Sequence, residues 1–388
     1  MRFEKKYAPG FFEMKTNKRR YLNNHIALFF PSFRIGGTER VMVHLLHGFI
    51  NKGLIVDAVV INAQGPFRKE LPSGVNLVDL GSKRALTSLL PFISYLYKNH
   101  PEAVLSAATR VNIIAILAVL FSRKSIRLVV SERSYLTQKK KYSSKFWDKL
   151  SHQLIKLLYP YADSVVTVSQ DANQDFMNFS NLDPKKITTI YNPVPVDYIQ
   201  KAANEKIFHP WLETSEVPVI LAVGRLSRPK NYPLLIDAFN ILRQRRKCRL
   251  LIIGEGEERA KIQQLVQSST FTEDIWLLGK TDNPYPYMAR ADVFVLSSSW
   301  EGFSNVLVEA LACGATVVST DCHSSPAEIL QNGKFGRLVP EDDATALADA
   351  IEVSLDHPMP SKQSIKRAQQ FSVEKAVQKY LQLLLPEN

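Results

Sequence analysis

The chain alternates short apolar runs with longer segments whose apolar residues recur at helical spacing. In the first half, the short runs at 25–30, 55–61, 127–131 and 164–169 are rich in apolar residues. Such runs are typical of strands buried on both faces of a parallel sheet. The segments between them predict helices over 38–51, 87–99 and 112–121. Repeated strand–helix units imply parallel sheets with right-handed crossovers.

The same alternation restarts after a polar stretch, residues 197–216, which lacks any strand pattern. A chain of 388 residues is too long for one ordinary core. We therefore predict an α/β protein with two Rossmann-like domains that face each other across an interdomain cleft, the usual place for a ligand. The expected division is a basic arm (1–22), a first domain (23–196), a linker (197–216), a second domain (217–370) and a final segment (371–388).

Basic residues are concentrated in the first 200 positions. That part has 28 Lys and Arg against 14 Asp and Glu, whereas the remainder has 21 against 23. The basic half is therefore expected to meet an anionic partner, such as a membrane surface, a lipid phosphate or a nucleic acid. Within it, Lys139–Lys141 and the mixed segment that follows fit two structures: a helix lying on anionic lipid, or a solvated helix with one core face.

No apolar run reaches the length that a membrane-spanning helix needs. The longest, Ile113–Phe121, predicts a buried helix, and the N-terminus lacks the apolar core of a secretory signal. We therefore expect a cytoplasmic protein that is soluble or lies on a membrane. Cys248, Cys313 and Cys322 lie in or beside apolar segments without metal-ligand spacing, which is typical of buried free thiols in a reducing compartment.

The stretch Ser297–Gly314 joins a polar turn to a helix that follows a buried strand. Glu301 lies in the turn, and Glu309 lies eight residues later on the helix. The helix N-terminus offers free amides and a partial positive charge, which suit a phosphate or a sugar oxygen. Two carboxylates can accept hydrogen bonds from two separate sets of hydroxyls. The pattern indicates a sugar-nucleotide site, although two glutamates at this spacing also occur on ordinary solvated helices.

Two other strand ends carry groups that suit phosphate. Gly36 and Gly37 stand between a strand and a helix, where glycine permits unusual backbone angles and a close approach to the amides. A plain strand-to-helix turn fits these residues equally well. The first strand of the second half is followed by Gly224, Arg225 and Lys230, a small residue with two cations, which suits a diphosphate. The alternative here is a basic surface loop.

Together these motifs resemble the retaining glycosyltransferases of family 4, which have the GT-B fold. The resemblance rests on Gly36–Arg40, on Gly224–Leu226 with Lys230, and on Glu301–Ser304 with Glu309. The order and spacing of the motifs cover nearly the whole chain. The segment 371–384 is similar to the family's closing helix, which crosses back to the N-terminal domain.

The resemblance implies a role for each matched residue. Arg225 and Lys230 would bind the donor diphosphate and stabilise the departing nucleotide, and Glu301 would hold the donor sugar. Many family members have a histidine after the strand at 127–131, where this chain has Glu132 and Arg133, so Glu132 is the candidate for that acceptor-side role. Donor contacts are expected from Gly36, Gly37, Gly224, Phe303, Ser304, Asn305 and Glu309, the last with the ribose hydroxyls.

The resulting hypothesis is a retaining glycosyltransferase on the inner face of the plasma membrane. It would move an N-acetylhexosamine or hexose from a UDP-sugar to a lipid-diphosphate-linked or polysaccharide-precursor acceptor. No metal or other cofactor is expected, because side chains and amides would neutralise the diphosphate. Two alternatives stay open: a sugar-nucleotide epimerase or phosphorylase-like enzyme of the same fold, and a basic nucleic-acid-binding protein. The chain has no recognition motif for nucleic acid, so nucleic acid is not the expected partner.

Overall fold

The computed structural model describes residues 24–133, 146–213, 216–322 and 325–386. It divides into two compact units, Met1–Pro193 with Val373–Asn388, and Val194–Ser372. The expected basic arm and Lys139–Lys141 lie outside the described residues. Each unit is built around one parallel sheet with helices packed against it.

The first unit contains seven parallel strands in the spatial order β3-β2-β1-β4-β5-β6-β7. The order therefore reverses between β1 and β4, which are hydrogen-bonded neighbours. The central strands are fully buried because their apolar residues face helices on both sides. The strands are β1 (His25–Phe30), β2 (Ile55–Val60), β3 (Val75–Asp79), β4 (Ala103–Ala107), β5 (Arg127–Glu132), β6 (Ser164–Thr167) and β7 (Ile187–Thr189).

Within the described residues, five α-helices connect these strands and cover both faces of the sheet. The first packs on one face, and the other four supply the core of the opposite face. Within the fourth, Ile155 and Leu158 are buried whereas Leu157 is exposed, so its described part is an ordinary helix with one core face. The helices are α1 (Gly37–Asn51), α2 (Leu89–Asn99), α3 (Thr109–Ser122), α4 (Phe146–Leu158) and α5 (Gln170–Ser180).

The second unit contains six parallel strands in the spatial order β10-β9-β8-β11-β12-β13. Here the order reverses between β8 and β11. The strands are β8 (Val219–Val223), β9 (Arg249–Ile253), β10 (Ile275–Gly279), β11 (Val293–Leu296), β12 (Val317–Thr320) and β13 (Arg337–Val339). The helices are α6 (Val196–Ala203), α7 (Pro210–Glu213), α8 (Tyr232–Arg245), α9 (Arg259–Ser268), α10 (Tyr285–Arg290), α11 (Asn305–Ala312), α12 (Pro326–Leu330), α13 (Ala344–Asp356) and α14 (Ser361–Ala368).

The stretch expected to be a linker, residues 197–216, contains most of α6 and all of α7, and it belongs to the second unit. Helix α6 buries Ile199 and Ala202. Two side chains hold its C-terminal end: Asn283 Nδ2 donates to Ala202 O at 3.0 Å, and Arg290 Nη1 donates to Ala203 O at 3.2 Å. An eight-residue amphipathic helix is polar in composition, which is why the sequence pattern suggested a connection.

The final helix, α15 (Val373–Leu384), belongs to the first unit and packs against α1. Gly48 makes this contact possible, because a Cβ atom there would lie 2.4 Å from Val377 Cγ2 and 2.9 Å from Val373 Cγ1. At the other end of the helix, Arg127 Nε donates to Leu383 O at 2.5 Å. The C-terminus of the chain therefore completes the core of the unit that the N-terminal half begins.

The predicted α/β class, with two parallel Rossmann-like sheets, is confirmed by these topologies. None of the described helices is long and apolar enough to cross a membrane. The three cysteines are free thiols, and Cys248 and Cys322 are buried. Burial raises the pKa of each of these two thiols to about 12.

Candidate functional site

The strand reversal in the second unit brings two of the predicted catalytic residues together. Lys230 follows β8 and Glu301 follows β11, and these strands are neighbours, so the loops after them meet at the carboxyl edge of the sheet. Lys230 Nζ lies 2.5 Å from Glu301 Oε1, and the two side chains are only 18% and 14% exposed. Ser298 Oγ donates to the same carboxylate oxygen at 2.8 Å. Open α/β sheets bind ligands at such a reversal point.

The two loops that carry this pair are tied to each other. The backbone N–H of Ser299 donates to Pro229 O at 2.8 Å, and Ser297 Oγ donates to Lys230 O at 2.9 Å. Asn231 Nδ2 donates to Ser299 Oγ at 3.1 Å. Because these bonds fix both backbones, the position of the Lys230 amine relative to the Glu301 carboxylate is set before any ligand arrives.

Gly224 leaves the space that Lys230 occupies. A Cβ atom at this position would lie 3.3 Å from Lys230 Cε and 3.2 Å from Tyr232 Oη. The Tyr232 hydroxyl donates to Gly224 O at 3.1 Å, and burial and the nearby Glu301 carboxylate raise the pKa of Tyr232. Gly254 presses against the other side, since its Cβ would lie 1.8 Å from Gly224 O. The backbone of the turn after β9 thus packs directly against the backbone at Gly224.

Arg225 is not part of this arrangement. Its Nε lies 3.0 Å from Glu257 Oε2, and both side chains are largely exposed. The structure therefore places one of the two predicted diphosphate cations, Lys230, in the cluster and the other in a surface ion pair. The role of Arg225 stays a prediction.

At the start of α11, the amides expected to meet the donor have partners inside the protein. The Ser304 N–H donates to Ser325 Oγ at 2.9 Å, and the Asn305 N–H donates to Phe303 O at 2.9 Å. The Phe303 ring is buried and lies 5.8 Å from the Phe371 ring, centroid to centroid. Both amides are therefore engaged within the protein in this structure, and the contact of Ser304 and Asn305 with the donor stays a prediction. The acceptor of the Ser304 amide, Ser325, lies 21 residues further on, and no local pattern points to it.

Glu309 lies on α11 and is half-buried. Burial, with a smaller contribution from the Glu309 charge, raises the pKa of Cys313. The predicted contact of Glu309 with ribose hydroxyls stays a prediction.

In the first unit, Gly36 and Gly37 stand at the start of α1, as expected, but their backbone angles are not the ones that were predicted. Gly36 has an extended backbone (φ −166°), and neither glycine has a positive φ. The expectation of unusual backbone angles is therefore wrong. A Cβ atom at Gly36 would lie 2.3 Å from Glu39 Oε2, so a larger residue there would displace the Glu39 carboxylate, which folds back over the helix start. Burial raises the pKa of this carboxyl.

Glu132 ends β5 and is 2% exposed. Thr109 Oγ1 donates to its Oε1 at 2.9 Å, and the Tyr159 hydroxyl donates to its Oε2 at 2.8 Å. The backbone N–H of Arg133 adds a bond to Oε1 at 3.2 Å. Both oxygens are thus engaged in the core, which favours a structural role and does not support the acceptor-side role predicted for Glu132.

The first unit also contains a feature that the sequence analysis missed. A cavity of about 740 Å³ lies at the carboxyl ends of β1 to β4, where the strand order reverses. Its wall includes Ser32, Arg34, Lys83, Arg84, Thr109 and Arg110. We call it the cationic cavity. The cations are scattered in sequence, but each comes shortly after a strand end, and in a parallel sheet those ends share one edge. The position of these cations just after strand ends is the sequence feature from which the cavity could have been predicted.

Two family models match the chain. The model of Glycosyltransferase Family 4 matches residues 35–198, and the model of glycosyl transferases group 1 matches residues 203–371. The chain therefore belongs to the family 4 glycosyltransferases and is a glycosyltransferase, which confirms the resemblance inferred from its motifs.

Among its relatives is the N-acetylgalactosamine-N,N'-diacetylbacillosaminyl-diphospho-undecaprenol 4-alpha-N-acetylgalactosaminyltransferase of Campylobacter jejuni. The two are 31% identical over 342 residues, which cover 85% of this chain and 90% of the relative. The amylovoran biosynthesis glycosyltransferase AmsD of Erwinia amylovora is 25% identical over 304 residues, 77% of this chain and 81% of the relative.

Solved structures confirm the GT-B fold. HepE of Anabaena, in complex with UDP, superimposes with a TM-score of 0.76 at 18% identity, covering 93% of this chain and 99% of that chain. The lipopolysaccharide outer core galactosyltransferase WaaB gives a TM-score of 0.70 at 19% identity, with the same coverage. At these identities the likeness concerns the fold alone.

Proposed function

We propose that the protein is a retaining glycosyltransferase that uses a UDP-sugar. Its acceptor is a lipid-diphosphate-linked glycan or another polysaccharide precursor, at the cytoplasmic face of the plasma membrane. Two observations on other proteins support this choice. The Campylobacter jejuni relative is named for a diphospho-undecaprenol-linked acceptor, and HepE has been solved with UDP and with UDP-glucose.

The observation that carries the proposal is the remaining hydrogen-bonding capacity of the Lys230–Glu301 pair. Both contacts of Glu301, from Lys230 and from Ser298, use Oε1. Within the described part of the chain, Oε2 accepts no hydrogen bond, and a carboxylate oxygen is a natural acceptor for a sugar hydroxyl. Lys230 has three N–H donors and uses one on Glu301, which leaves two for phosphate oxygens. One fixed pair can therefore hold both the sugar and the diphosphate of a donor.

Arg225 would supply the second cation. To reach the diphosphate it has to leave Glu257, and an exposed ion pair of this kind contributes only about 0–1 kcal/mol. A diphosphate offers charged, two-pronged hydrogen bonds to the guanidinium, which are stronger than that surface contact. The exchange of partners is thus favourable once the donor is bound.

For the chemical step, we propose attack from the face of the sugar that the nucleotide leaves, with the donor phosphate accepting the proton of the acceptor hydroxyl. Lys230 stabilises the charge that grows on the leaving diphosphate. Glu301 supports the positive charge that develops at the sugar carbon and forms no covalent bond with it. This chemistry needs no metal, because cationic side chains compensate the diphosphate.

The test is a thermal-shift series followed by a transfer assay. UDP is expected to stabilise the protein, whereas GDP, ADP and NAD are not. Purified protein with UDP-N-acetylhexosamines or UDP-glucose and a polyprenyl-diphosphate-linked sugar should then yield a longer glycan, whose new linkage keeps the anomeric configuration of the donor. Stabilisation by a different nucleotide alone would overturn the donor assignment. Donor turnover that needs no acceptor would favour the epimerase or phosphorylase-like alternative.

A further inference from the structure

The cationic cavity lies at the place in the first unit where parallel sheets bind ligands. Its wall comes from the loops after β1, β2 and β3 and from the first turn of α3, which follows β4. The strand order reverses between β1 and β4, so the loops after these two strands diverge and leave room between them. The volume of about 740 Å³ falls within the range of small-molecule sites.

The charged residues that line this cavity are all positive. Arg34, Lys83, Arg84 and Arg110 line it, and no acidic residue is among its described lining residues. Within the described part of the chain, Arg34, Lys83 and Arg84 form no ion pair with a carboxylate. Glu132, whose carboxylate accepts from the lining residue Thr109, is itself buried. Several uncompensated cations around one concave space suit a ligand with two or more negative charges, such as a diphosphate.

The loop that carries two of these cations is held in shape. Ser82 Oγ donates to Leu80 O and to Thr87 O, both at 3.3 Å. Thr87 Oγ1 donates to Arg84 O at 2.9 Å and accepts from the Arg84 N–H at 3.4 Å. The backbone that presents Lys83 and Arg84 is therefore organised before a ligand binds, which lowers the entropy cost of binding.

Exposed apolar side chains lie close in the chain to the residues that line the cavity. Ile35, next to Arg34, is 67% exposed, and Leu86, two residues after Arg84, is also 67% exposed. Leu90, one turn further along on α2, is 75% exposed. Exposed aliphatic side chains beside cations are typical of surfaces that meet anionic lipid, where the apolar groups enter the acyl region and the cations meet phosphates.

The surrounding sequence has the same character. Residues 80–131, which include α2 and α3, contain seven Lys and Arg and a single acidic residue, Glu102. Near the opposite ends of these helices, Tyr97 and Phe121 are exposed and Lys124 lies over the Tyr97 ring at 5.3 Å. Basic and apolar residues thus extend along the α2–α3 layer. Their positive charge is complementary to that of an anionic membrane.

We propose that the cationic cavity binds the diphosphate of an isoprenoid-diphosphate acceptor, and that Ile35, Leu86 and Leu90 guide its isoprenoid chain into anionic lipid. This rests on the proposed function in one respect, namely that the acceptor is lipid-linked. The site lies on residues that play no part in the donor assignments, so the two can be tested separately.

The first experiment tests the cations. Isothermal titration of the full chain with inorganic pyrophosphate and with farnesyl diphosphate is expected to show binding of both. The double variant Arg34→Gln/Arg84→Gln should bind each at least about tenfold more weakly, since each lost charged hydrogen bond has an effect of that order. The matched control is Lys362→Gln/Lys366→Gln, two exposed lysines on α14, which should bind within about twofold of wild type. Unchanged binding in the cavity variant would overturn the site.

Stability and donor binding check that the cavity variant is intact. Its melting temperature and its stabilisation by UDP should equal those of wild type, because Arg34 and Arg84 are exposed and lie in the first unit. If the double variant is unstable, Lys83→Gln alone, on the same wall, should still weaken farnesyl diphosphate binding severalfold. Failure of Lys83→Gln to do so would also count against the site.

The second experiment separates a lipid-borne diphosphate from a free one. Farnesyl diphosphate should bind at least about tenfold more tightly than pyrophosphate, and Leu86→Ser/Leu90→Ser should remove that difference while leaving pyrophosphate binding unchanged. The same variant should sediment less with phosphatidylglycerol–phosphatidylcholine vesicles at low salt. Equal affinity for the two ligands in wild type, with no effect of the leucine variant, would overturn the lipid assignment and leave a site for free diphosphate.

The proposed function and the cavity inference can fail independently of each other. If UDP does not bind wild-type protein, the donor assignment fails whatever pyrophosphate does. If UDP binds and transfer to a lipid-linked acceptor proceeds normally in Arg34→Gln/Arg84→Gln, the cavity inference fails and the proposed function stands.

Discussion

Replacement of Lys230 by alanine is the most informative perturbation of the candidate donor site. It leaves the Glu301 carboxylate, 14% exposed, with Ser298 as its one hydrogen-bond partner among the described residues and with no cation of the described second unit in ion-pair contact. An uncompensated charge in such a position is unfavourable. We therefore expect Lys230→Ala to lower both stability and turnover, by separate routes.

The size of the stability effect follows from the geometry. At 2.5 Å and an effective dielectric constant of 20, the attraction between the two charges is about 6–7 kcal/mol before desolvation is subtracted. Breaking a fully buried pair costs about 3–5 kcal/mol. Because both side chains keep some contact with solvent, we expect a loss of about 2–3 kcal/mol. In a unit of this size that corresponds to about 4–12 °C in melting temperature.

Turnover should fall at least about tenfold, the scale of one lost transition-state contact. The double variant Lys230→Met/Glu301→Gln separates the two effects, since it removes both charges at similar volume. Differential scanning fluorimetry should show its stability within about 1 kcal/mol of wild type, whereas the transfer assay should show turnover as low as in Lys230→Ala. Recovery of turnover in the double variant, or normal turnover in Lys230→Ala, would refute a direct role of Lys230 in the reaction.

Four further outcomes are expected. Glu309→Ala should weaken UDP binding by about 1–3 kcal/mol in isothermal titration; unchanged affinity would exclude the ribose contact. Glu132→Gln should lower stability by about 1–3 kcal/mol, because its oxygens accept from Thr109 and Tyr159, yet leave turnover per folded molecule intact; a turnover loss at normal stability would restore its acceptor-side role. Burial lowers the pKa of His44 to about 3, whereas in the unfolded chain the value is about 6.5. The unfolded state therefore binds more protons below pH 6.5, and stability should fall by about 2 kcal/mol between pH 6.5 and 5 through this group; urea titrations of His44→Gln should show a smaller fall. Treatment with EDTA should leave turnover unchanged, and a loss restored by a divalent cation would contradict the metal-independent mechanism.

The strands and helices of this protein were largely predictable because most of its strands are buried on both faces. Such strands form apolar runs in the sequence, and β1 has the predicted bounds, residues 25–30. The edge strands β3 and β13 were not identified. The first is largely half-exposed and the second has three residues, so neither forms a distinct apolar run.

The candidate site was predictable only in part. Motif spacing identified Lys230 and Glu301, which lie 71 residues apart, but it did not indicate that they pair. It also gave Glu132 a catalytic role, because burial and the bonds from Thr109 and Tyr159 cannot be read from a strand end. It did not indicate that the Ser304 amide has a partner in the protein, since that partner, Ser325, is distant in sequence.

The sequence by itself determined the class of fold, the family and the loops in which function lies, because these depend on local periodicity and on short motifs. Only the tertiary structure decided which side chains meet. The order of strands in each parallel sheet places residues from distant loops at one edge, and it reverses at a point that no local pattern marks. That order joins Lys230 to Glu301 in the second unit and gathers Arg34, Lys83, Arg84 and Arg110 around one cavity in the first.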